Sequence, residues 1–552
     1  MMFFEHSRRA FEEATKDPIK AQKKVLLEYL ARNKDTEYGR QYSFASIRSI
    51  EEFRTNVPMC DAESLRDLIN RIAKGEQGIL TKDRPIFFGV TSGTTSEPKL
   101  IPTTLYSEAK KAETLNLWGY YIVRDHPEIL KGKILALVSP EIEGYTEAGI
   151  PLGAETGHGY KELPIFVRNL YALPHDVFAI SDYDARYYTI LRIAMAEDIT
   201  TVATLNPNMI VLLCQKIENW QERIIGDIEK GTLAHDLDIP RDLRKHIEKR
   251  LRPLPERAAQ LRKLLAEKGR LLPKDFWPNM QLVECWKGGM MRLYLKELEV
   301  YFGDIPIRDM GCLSTEGRSS LPLSDKGSDG VLTIETNFYE FIPKEDIDKP
   351  DKRMLLCDQV EAGKEYFMLL TTPGGLYRYN IDDIIRVNGF YNKTPTIEFV
   401  QKGHNALSLA GEKLYESQLN AAMHETLEHH GLLIEFFCAV GRTEGEPHYD
   451  LLIEFSSNAF SAYPADAIKK QFLNSFEKAL RHHDREYEYV RGAGLLGEPV
   501  LKVVKRGEFE KYRAKRIAQG AHEGQFKVSE LTADQNFEKN FIIEQSMDLE
   551  GR

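Results

Sequence analysis

Residues 89–102, GVTSGTTSEPKLIP, combine small hydroxyl residues and glycine with a single lysine. Phosphate oxygens need several hydrogen-bond donors at once, and a glycine-bearing turn lets backbone N–H groups point into one concavity. The hydroxyls add donors, and Lys99 adds a mobile positive charge. A Walker A loop would have another glycine directly before its lysine and a helix after it, but Leu100, Ile101 and Pro102 follow here. Composition alone therefore leaves two interpretations open, a phosphate-binding loop or an ordinary surface turn.

Two further segments carry groups that suit a nucleotide. In RDMGCLSTEG, residues 308–317, Thr315 and Glu316 follow a predicted strand, IPIRD. A hydroxyl can donate to phosphate while a carboxylate binds Mg²⁺, although Ser-Thr-Glu is also a common helix N-cap. In GGLYRYNIDDII, residues 374–385, we expect Asp382 and Asp383 to end a strand, where a carboxylate can accept hydrogen bonds from a ribose. Taken alone, this last segment is better explained as a solvated turn.

The elements that position these segments alternate between helix and strand. The first 80 residues show apolar residues at helical spacing, and RPIFFGVTS predicts a buried strand that enters the loop. A long helix is predicted after it, in SEAKKAETLNLWGYYIVRDH. Farther on, the strand TTVATL is followed by Asn206 and Pro207, an N-cap and first-turn proline, and Gly231 ends the helix. This alternation predicts α/β layering, with a strand-rich section from 331 to 400.

A second domain is predicted beyond residue 403. There the pattern is helix, two strands and helix, in ESQLNAAMHETLEHH, LLIEFFCAV, YDLLIEF and PADAIKKQFLNSFEKALRHH. We therefore divide the chain into residues 1–402 and residues 403–552.

Net charge, cysteine spacing and apolar segments indicate which partners, cysteine chemistry and compartment to expect. A net charge of −10 disfavours nucleic acid and anionic membranes as main partners. The six cysteines are widely spaced without a CxxC pair, which favours reduced, buried thiols over disulfides or a zinc site. The N-terminus lacks the apolar region of a secretory signal, and no 18 uncharged apolar residues run together. We expect a cytoplasmic protein with no membrane partner.

Taken together and in this order, the three segments resemble the adenylate-forming superfamily. The stretches TEYGRQYSFASIRSIEEFRTNVP, TSGTTSEPKLIP, NFYEFIP, GGLYRYNIDD and GQFKV further resemble the Gretchen Hagen family. That family comprises the acyl-acid-amido synthetases first known as plant auxin-responsive proteins. The resemblance extends from about residue 20 to residue 530.

The resemblance implies a fold and an activity. The fold would be a large N-terminal α/β domain with a β-barrel-like part, followed by a small mobile α+β C-terminal domain. The activity would be activation of a small carboxylic acid by ATP and Mg²⁺ to an acyl-adenylate, then transfer to an amine, in this family that of an amino acid. We expect the chain to act as a monomer.

Site residues carry over from the family by position. The resemblance assigns nucleotide binding to Ser92, Gly93, Thr94, Thr95, Ser96, Lys99, Thr315, Tyr377, Arg378, Asp383 and Lys402. Among these, Lys99 and the loop before it would contact the β- and γ-phosphates, Thr315 the α-phosphate, and Asp383 the ribose. Glu316 would hold Mg²⁺. Lys527 would reach the site when the small domain closes for adenylation, so the catalytic set is Lys527, Lys99 and Glu316.

Departures from the family pattern leave alternatives open. The loop has Ser96-Glu97-Pro98 where a glycine is usual, and Asn380-Ile381 replaces an arginine and a leucine. Given the altered loop and Asn380-Ile381, the chain could bind nucleotide without catalysis. Independently of these departures, the acceptor could be a thiol such as coenzyme A, although the family signature disfavours that thioester product.

An acyl pocket is expected at the helix after the loop and around residues 286–294. From the helix, Leu115, Trp118 and Tyr121 are candidates to line it, although core packing explains such residues better.

Overall fold

The structure, a computed structural model, describes residues 2–91, 99–163, 165–403, 406–456, 463–519 and 528–549. Contacts divide the chain into two compact units, Met1–Phe399 and Val400–Arg552. The division falls shortly before residue 403, where the sequence predicts the domain boundary.

The first unit contains most of the helices. They are α1 (Met2–Ala14), α2 (Pro18–Asn33), α3 (Glu37–Gln41), α4 (Ile50–Asn56), α5 (Ala62–Ala73), α6 (Leu105–Asp125), α7 (Glu155–Lys161), α8 (Ile165–Arg168), α9 (Tyr183–Ala194), α10 (Pro207–Lys230), α11 (Arg241–Glu248), α12 (Pro255–Lys268), α13 (Pro273–Phe276) and α14 (Arg292–Phe302). Short 3-10 helices occur at Phe44–Ser46, Pro127–Lys131, His175–Ala179, Gly289–Met291 and Lys344–Asp346.

The strands of the first unit form three sheets. They are β1 (Pro85–Thr91), β2 (Lys99–Thr104), β3 (Lys133–Ala136), β4 (Gly144–Tyr145), β5 (Pro151–Gly153), β6 (Ile199–Ala203), β7 (Leu282–Glu284), β8 (Ile307–Arg308), β9 (Ser320–Leu321), β10 (Gly330–Leu332), β11 (Phe338–Pro343), β12 (Glu365–Thr371), β13 (Tyr379–Tyr391) and β14 (Thr394–Lys402). The strand orders are β2-β1-β5-β4, β3-β6-β7-β8 and β11-β12-β13-β14-β10-β9.

The sheet β3-β6-β7-β8 is parallel and gives this unit its α/β character. Its connection after β6 follows the predicted signals. Asn206 accepts a hydrogen bond from the Asn208 backbone N–H at 2.9 Å, Pro207 is the first residue of α10, and Gly231 caps the other end with φ +72°. Because glycine adopts this left-handed conformation without a Cβ clash, it stops the helix cleanly.

The six-stranded sheet is antiparallel between neighbours such as β11, β12 and β13. Its core face packs against the N-terminal helices, because apolar side chains at helical spacing on α2, such as Leu26 and Leu30, share one buried cluster with Phe338 and Phe341 of β11. The prediction that the first 80 residues are mainly helical is confirmed.

The second unit is a mixed α+β structure. Its elements are β15 (Ala406–Leu407), β16 (Leu414–Tyr415), α15 (Glu416–His430), β17 (Ile434–Arg442), β18 (His448–Phe455), α16 (Asp466–His483), α17 (Arg485–Gly492), β19 (Val500–Val504), α18 (Glu508–Ala518), β20 (Leu531–Thr532), a 3-10 helix (Phe537–Asn540) and β21 (Ile543–Met547). Five strands form one sheet in the order β20-β17-β18-β19-β21. The predicted succession of helix, two strands and helix is confirmed by α15, β17, β18 and α16.

One local prediction is wrong. Asp382 and Asp383 do not end a strand but lie inside the 13-residue strand β13. The register with β12 shifts there, so that Leu369 pairs with Asn380 while Phe367 pairs with Ile384. Asp382 has φ +61°, which is typical of a β-bulge that re-aims side chains within a continuing strand.

The cysteines follow the prediction. All six are free, five of them are buried, and Cys312 is partly buried.

Candidate active site

The loop between β1 and β2 starts and ends at one point of the first sheet. The two strands are antiparallel neighbours, and Thr91 lies opposite Lys99 in the register. The loop residues predicted to hold phosphate, Ser92, Gly93, Thr94, Thr95 and Ser96, lie outside the described residues, as does Glu97. Lys99 itself opens β2 and is partly buried.

Thr315 and Glu316 form the tip of a tight turn rather than the start of a helix. The Ser314 N–H donates to the Gly317 carbonyl at 3.0 Å, and the Gly317 N–H donates back to the Ser314 carbonyl at 3.2 Å. Leu313 and Arg318 continue the turn as an antiparallel bridge. Two closing hydrogen bonds on four residues hold the tip residues in one orientation.

The side chain of Thr315 packs against the backbone of Gly89 in β1. A Cβ at position 89 would lie 2.3 Å from the Thr315 Cγ2 methyl, a distance that real contacts essentially never show. Only glycine permits this approach, so the turn lies directly beside the strand that leads into the loop. The structure therefore brings together the loop strand and the Thr315-Glu316 turn, which the sequence treats as separate signals.

A small cleft opens beside this turn within the first unit. It is lined by Ile101, Pro102, Ser107, Lys111, Glu316, Gly317, Thr336, Asn337, Thr372, Pro373, Gly374 and Leu376. Glu316 and Lys111 give it one negative and one positive side chain.

Hydrogen bonds from distant segments hold the cleft wall. Gln22 of α2 donates to the carbonyls of Ile334 and Asn337 at 2.7 and 2.6 Å, and its own oxygen accepts from the Tyr339 N–H. The hydroxyls of Thr336 and Thr114 are 2.6 Å apart. Buried polar groups satisfied in this way fix the backbone around Thr336 and Asn337.

Asp383 lies in the same electrostatic neighbourhood as Glu316. Burial raises the pKa of Tyr379, and the negative charges of Glu316 and Asp383 both add to this effect. Burial likewise raises the pKa of the Cys312 thiol to about 12, with Asp309 and Asp383 contributing. Asp383 and Glu316 therefore share Tyr379 as an electrostatic neighbour.

Tyr377 and Arg378 lie in the buried framework beside the cleft. The Tyr377 ring stacks on Tyr38 at 5.3 Å, and its hydroxyl donates to the Leu80 carbonyl at 3.0 Å. Arg378 makes a bidentate pair with Glu340 at 2.9 and 3.2 Å. These contacts engage the Tyr377 hydroxyl and much of the Arg378 guanidinium, so both residues shape the site through packing.

Two predicted basic residues belong to the later part of the chain. Lys402 is the last residue of β14 and falls in the second unit. Lys527 lies outside the described residues.

Several cleft residues carry no motif and were not predicted. Lys111 is the clearest case, because it lies on α6 between two buried polar residues, Ser107 and Thr114. A stripe of polar residues at helical spacing on a helix's buried face was the available signal, since such a face is ordinarily apolar. Among the residues considered for an acyl pocket, Trp118 and Tyr121 belong to a core cluster with Phe11, whereas Leu115 is 39% exposed.

The large α/β unit and the small α+β unit together match the fold of a solved acyl acid amido synthetase. The structure of the GH3.15 acyl acid amido synthetase superposes with a TM-score of 0.86 at 23% identity, covering 98% of this chain and 96% of that one. The predicted fold is confirmed.

Three family models match the chain in order. They are the GH3 family N-terminal domain over residues 7–307, the central domain over 330–402 and the C-terminal domain over 417–536. The chain belongs to the GH3 (Gretchen Hagen) family, as the sequence resemblance predicts.

Relatives of similar length are amido synthetases by name. The indole-3-acetic acid-amido synthetase GH3.3 of Arabidopsis thaliana is 27% identical over 545 residues, covering 94% of this chain and 90% of the relative. The jasmonoyl--L-amino acid synthetase JAR4 of Nicotiana attenuata is 26% identical over 556 residues, covering 95% and 93%.

The helices that the structure describes include none with the length and apolar character needed to cross a bilayer.

Proposed function

We propose that this protein activates a small carboxylic acid with ATP and transfers the acyl group to the amine of an amino acid. The observation that supports this best is the packing of Thr315 on Gly89, which joins the loop strand and the Glu316 turn in one place. Membership of the GH3 family and the names of its relatives, which join an acid to an amino acid, point to the same reaction.

ATP would bind along this junction. The loop of residues 92–96 and Lys99 would hold the β- and γ-phosphates, and Thr315 the α-phosphate. Asp383 would bind the ribose, while Tyr377 and Arg378 hold the adjoining backbone. Lys402 and Lys527 would approach from the smaller unit.

Mg²⁺ would bind at Glu316. This ion commonly uses one or two protein carboxylates together with substrate phosphates, and the described residues contain no preformed group of three or more metal-binding side chains. A single carboxylate at the rim of a phosphate site fits that donor set. When bound, the ion neutralises charge on the phosphates.

In the first half-reaction the substrate carboxylate attacks the α-phosphorus of ATP, and pyrophosphate leaves with the electron pair of the broken P–O bond. The carboxylate is already nucleophilic, so no general base is required. Lys99 would stabilise the departing charge, and Lys527 would neutralise the carboxylate and α-phosphate oxygens.

In the second half-reaction the uncharged amine nitrogen forms a bond to the acyl carbon, the acyl C–O bond breaks, and AMP leaves with its electron pair. The nitrogen loses one proton to solvent to give the amide. The family resemblance implies that the small domain rotates between the two steps about a hinge near residues 403–412. That motion would withdraw Lys527 and admit the acceptor. The relatives' names indicate that aryl or cyclic acids belong in the first test panel.

The test is ATP-dependent pyrophosphate release across a panel of carboxylic acids, with amino acids or coenzyme A then added in turn. We expect release with acid and ATP alone, and an amide when an amino acid is added. A thioester with coenzyme A would instead identify a thiol ligase. ATP binding without pyrophosphate release for any acid would contradict catalysis.

A further inference from the structure

Three buried polar residues hold the end of the turn that carries Glu316. Thr333 follows β10, whereas Asn337 and Tyr339 belong to the stretch NFYEFIP, which carries the family resemblance without an assigned role. None of the three is more than 4% exposed. Their polar atoms converge on one acceptor, the backbone carbonyl of Arg318 at the end of the turn.

The hydrogen bonds among these residues form a chain with one direction. The Thr333 hydroxyl donates to the Arg318 carbonyl at 2.7 Å, and its oxygen lies 2.6 Å from the Tyr339 hydroxyl. The Tyr339 hydroxyl in turn accepts from the Asn337 amide at 3.1 Å. Each hydroxyl carries a single hydrogen, so Thr333, which donates to the carbonyl, must accept from Tyr339. Hydrogen bonding therefore runs from the Asn337 amide through the two hydroxyls to the carbonyl.

The far end of the chain is fixed to α2. Gln22 donates to the Asn337 carbonyl at 2.6 Å and accepts from the Tyr339 backbone N–H at 2.7 Å. The Asn337 amide nitrogen also lies 3.2 Å from the point that a Cβ of Gly317 would occupy, so it packs closely on the backbone of the turn. The turn is thereby held against a segment that cannot move independently of α2.

The chain contains no charged group. Burial raises the pKa of Tyr339 to about 12, although the hydrogen bonds from Thr333 and Asn337 act in the opposite direction. The tyrosine hydroxyl therefore keeps its proton at neutral pH and remains a donor. Neutral hydrogen bonds of this kind fix an orientation without adding charge beside a metal-binding carboxylate.

The turn is short enough to transmit the position of Arg318 to Glu316. Leu313 and Arg318 form an antiparallel bridge, and only four residues lie between them. Ser314 and Gly317 close the turn with two backbone hydrogen bonds, at 3.0 and 3.2 Å. A shift of the Arg318 carbonyl therefore moves the tip of the turn, and Glu316 with it, relative to the cleft that Glu316 lines.

We propose that Thr333 and Tyr339 are positioning residues for the adenylation step, because their hydroxyls hold Glu316, through the Arg318 carbonyl, where it can receive Mg²⁺. This inference rests on the proposed function, which assigns the metal to Glu316. Neither Thr333 nor Tyr339 lines the cleft, so both act through the turn and not by contact with the nucleotide. Mg²⁺ requires near-ideal octahedral geometry, which makes a displaced carboxylate costly.

The test measures the Kd of ATP for the full-length protein by isothermal titration calorimetry, once with Mg²⁺ and once with EDTA in its place. Thr333→Val and Tyr339→Phe each remove one hydroxyl with little change of shape. With Mg²⁺ we expect each variant to raise the Kd roughly 10-fold, the worth of one hydrogen bond. With EDTA the Kd should stay within about twofold of the unmodified protein, well below a tenfold change. Thr333→Ser, which keeps the hydroxyl, should recover most of the affinity.

Tyr366→Phe is the matched control. Tyr366 is also buried, on the neighbouring strand β12, but its hydroxyl accepts from the Glu361 N–H at 2.9 Å and does not join the chain. If Tyr366→Phe raised the Kd as much as Tyr339→Phe, lost packing would explain the effect and the proposal would be wrong.

Two further results would overturn the proposal. One is an unchanged Kd with Mg²⁺ in both Thr333→Val and Tyr339→Phe. The other is an equal rise with Mg²⁺ and with EDTA, because the effect would then not pass through the metal-binding carboxylate. Absence of ATP binding in the unmodified protein would overturn the proposed function itself, which separates the two failures.

Discussion

At the scale of single residues, the missing side chain of Gly89 determines how closely the Thr315 turn approaches the loop strand. The contact involves residues 226 positions apart in the chain, so that position 89 controls the placement of a residue it does not adjoin in sequence. The contribution of Gly89 to activity can be separated from its contribution to folding by making the same substitution at a glycine where an added Cβ meets no neighbouring atom.

Gly89→Ala should lower ATP–pyrophosphate exchange by roughly 10- to 100-fold, because the new Cβ displaces Thr315 and small misplacements of positioning groups are costly. Gly119→Ala on α6 is the control, since a Cβ there meets nothing within 4 Å. Exchange at the unmodified rate in Gly89→Ala would show that the Thr315 contact is not needed for adenylation.

Glu284, at the end of β7, should make stability depend on pH. Burial raises the pKa of its carboxyl from 4.5 to about 7, although Arg308 and Arg318 act in the opposite direction. Between pH 4.5 and about pH 7, the Glu284 carboxyl therefore keeps its proton in the folded chain and releases it in the unfolded chain. The free energy of unfolding should fall as pH rises through this window, on the order of 3 kcal/mol in total.

Glu284→Gln should flatten that fall, as measured by urea unfolding at pH 5 and pH 8. Glu147→Gln, at a glutamate that is 75% exposed, should leave the pH dependence as it is. Equal pH dependence in Glu284→Gln and the unmodified protein would contradict this assignment.

At the scale of elements, Arg378 joins three parts of the first unit. Besides Glu340 of β11, its guanidinium donates to the carbonyl of Arg54 in α4 at 3.0 Å and to that of Val57 at 2.8 Å. Arg378 and Glu340 are 6% and 1% exposed. Glu340 would keep a second partner in Arg54, at 2.9 Å, but the buried carbonyls of Arg54 and Val57 would lose their donor, so the arrangement is costly to break.

Arg378→Met should reduce the free energy of unfolding by roughly 3–5 kcal/mol. Arg386→Met is the control, because Arg386 is 44% exposed in its pair with Glu365 and such pairs contribute about 0–1 kcal/mol. A stable Arg378→Met variant with a raised KM for ATP would instead show direct contact of Arg378 with the nucleotide.

The sequence predicts where helices and strands occur better than it predicts irregularities within them and contacts between them. Helix signals such as Asn206, Pro207 and Gly231 act locally, so α10 could be placed from its own residues. The bulge at Asp382 could not, because the apolar pattern of β13 continues on both sides of it.

The candidate site likewise contains residues that local motifs identify and residues that only the packing of the fold brings in. Thr315, Glu316 and Asp383 stand in recognisable motifs and could be named from the family pattern. Lys111 has no motif, because only the packing of α6 brings it to the cleft.

At the scale of the whole molecule, the family resemblance assigns residues of the proposed reaction to both units. Lys527 belongs to the smaller unit and is assigned to the first half-reaction only by family position.

Lys527→Ala should lower ATP–pyrophosphate exchange by roughly 10²-fold or more, the usual cost of removing one preorganised charge-stabilising group. Lys515→Ala, at an exposed position in α18 of the same unit, should leave exchange intact. Exchange near the unmodified rate in Lys527→Ala would make the assignment wrong.

The central claim is that the substrate carboxylate attacks the α-phosphate of ATP and is later released from AMP by an amine. The most direct measurement follows oxygen from an ¹⁸O-labelled carboxylic acid during amide formation. We predict that one labelled oxygen per turnover appears in AMP. Label in inorganic phosphate, with ADP as the nucleotide product, would contradict the account, because it would show activation through an acyl phosphate.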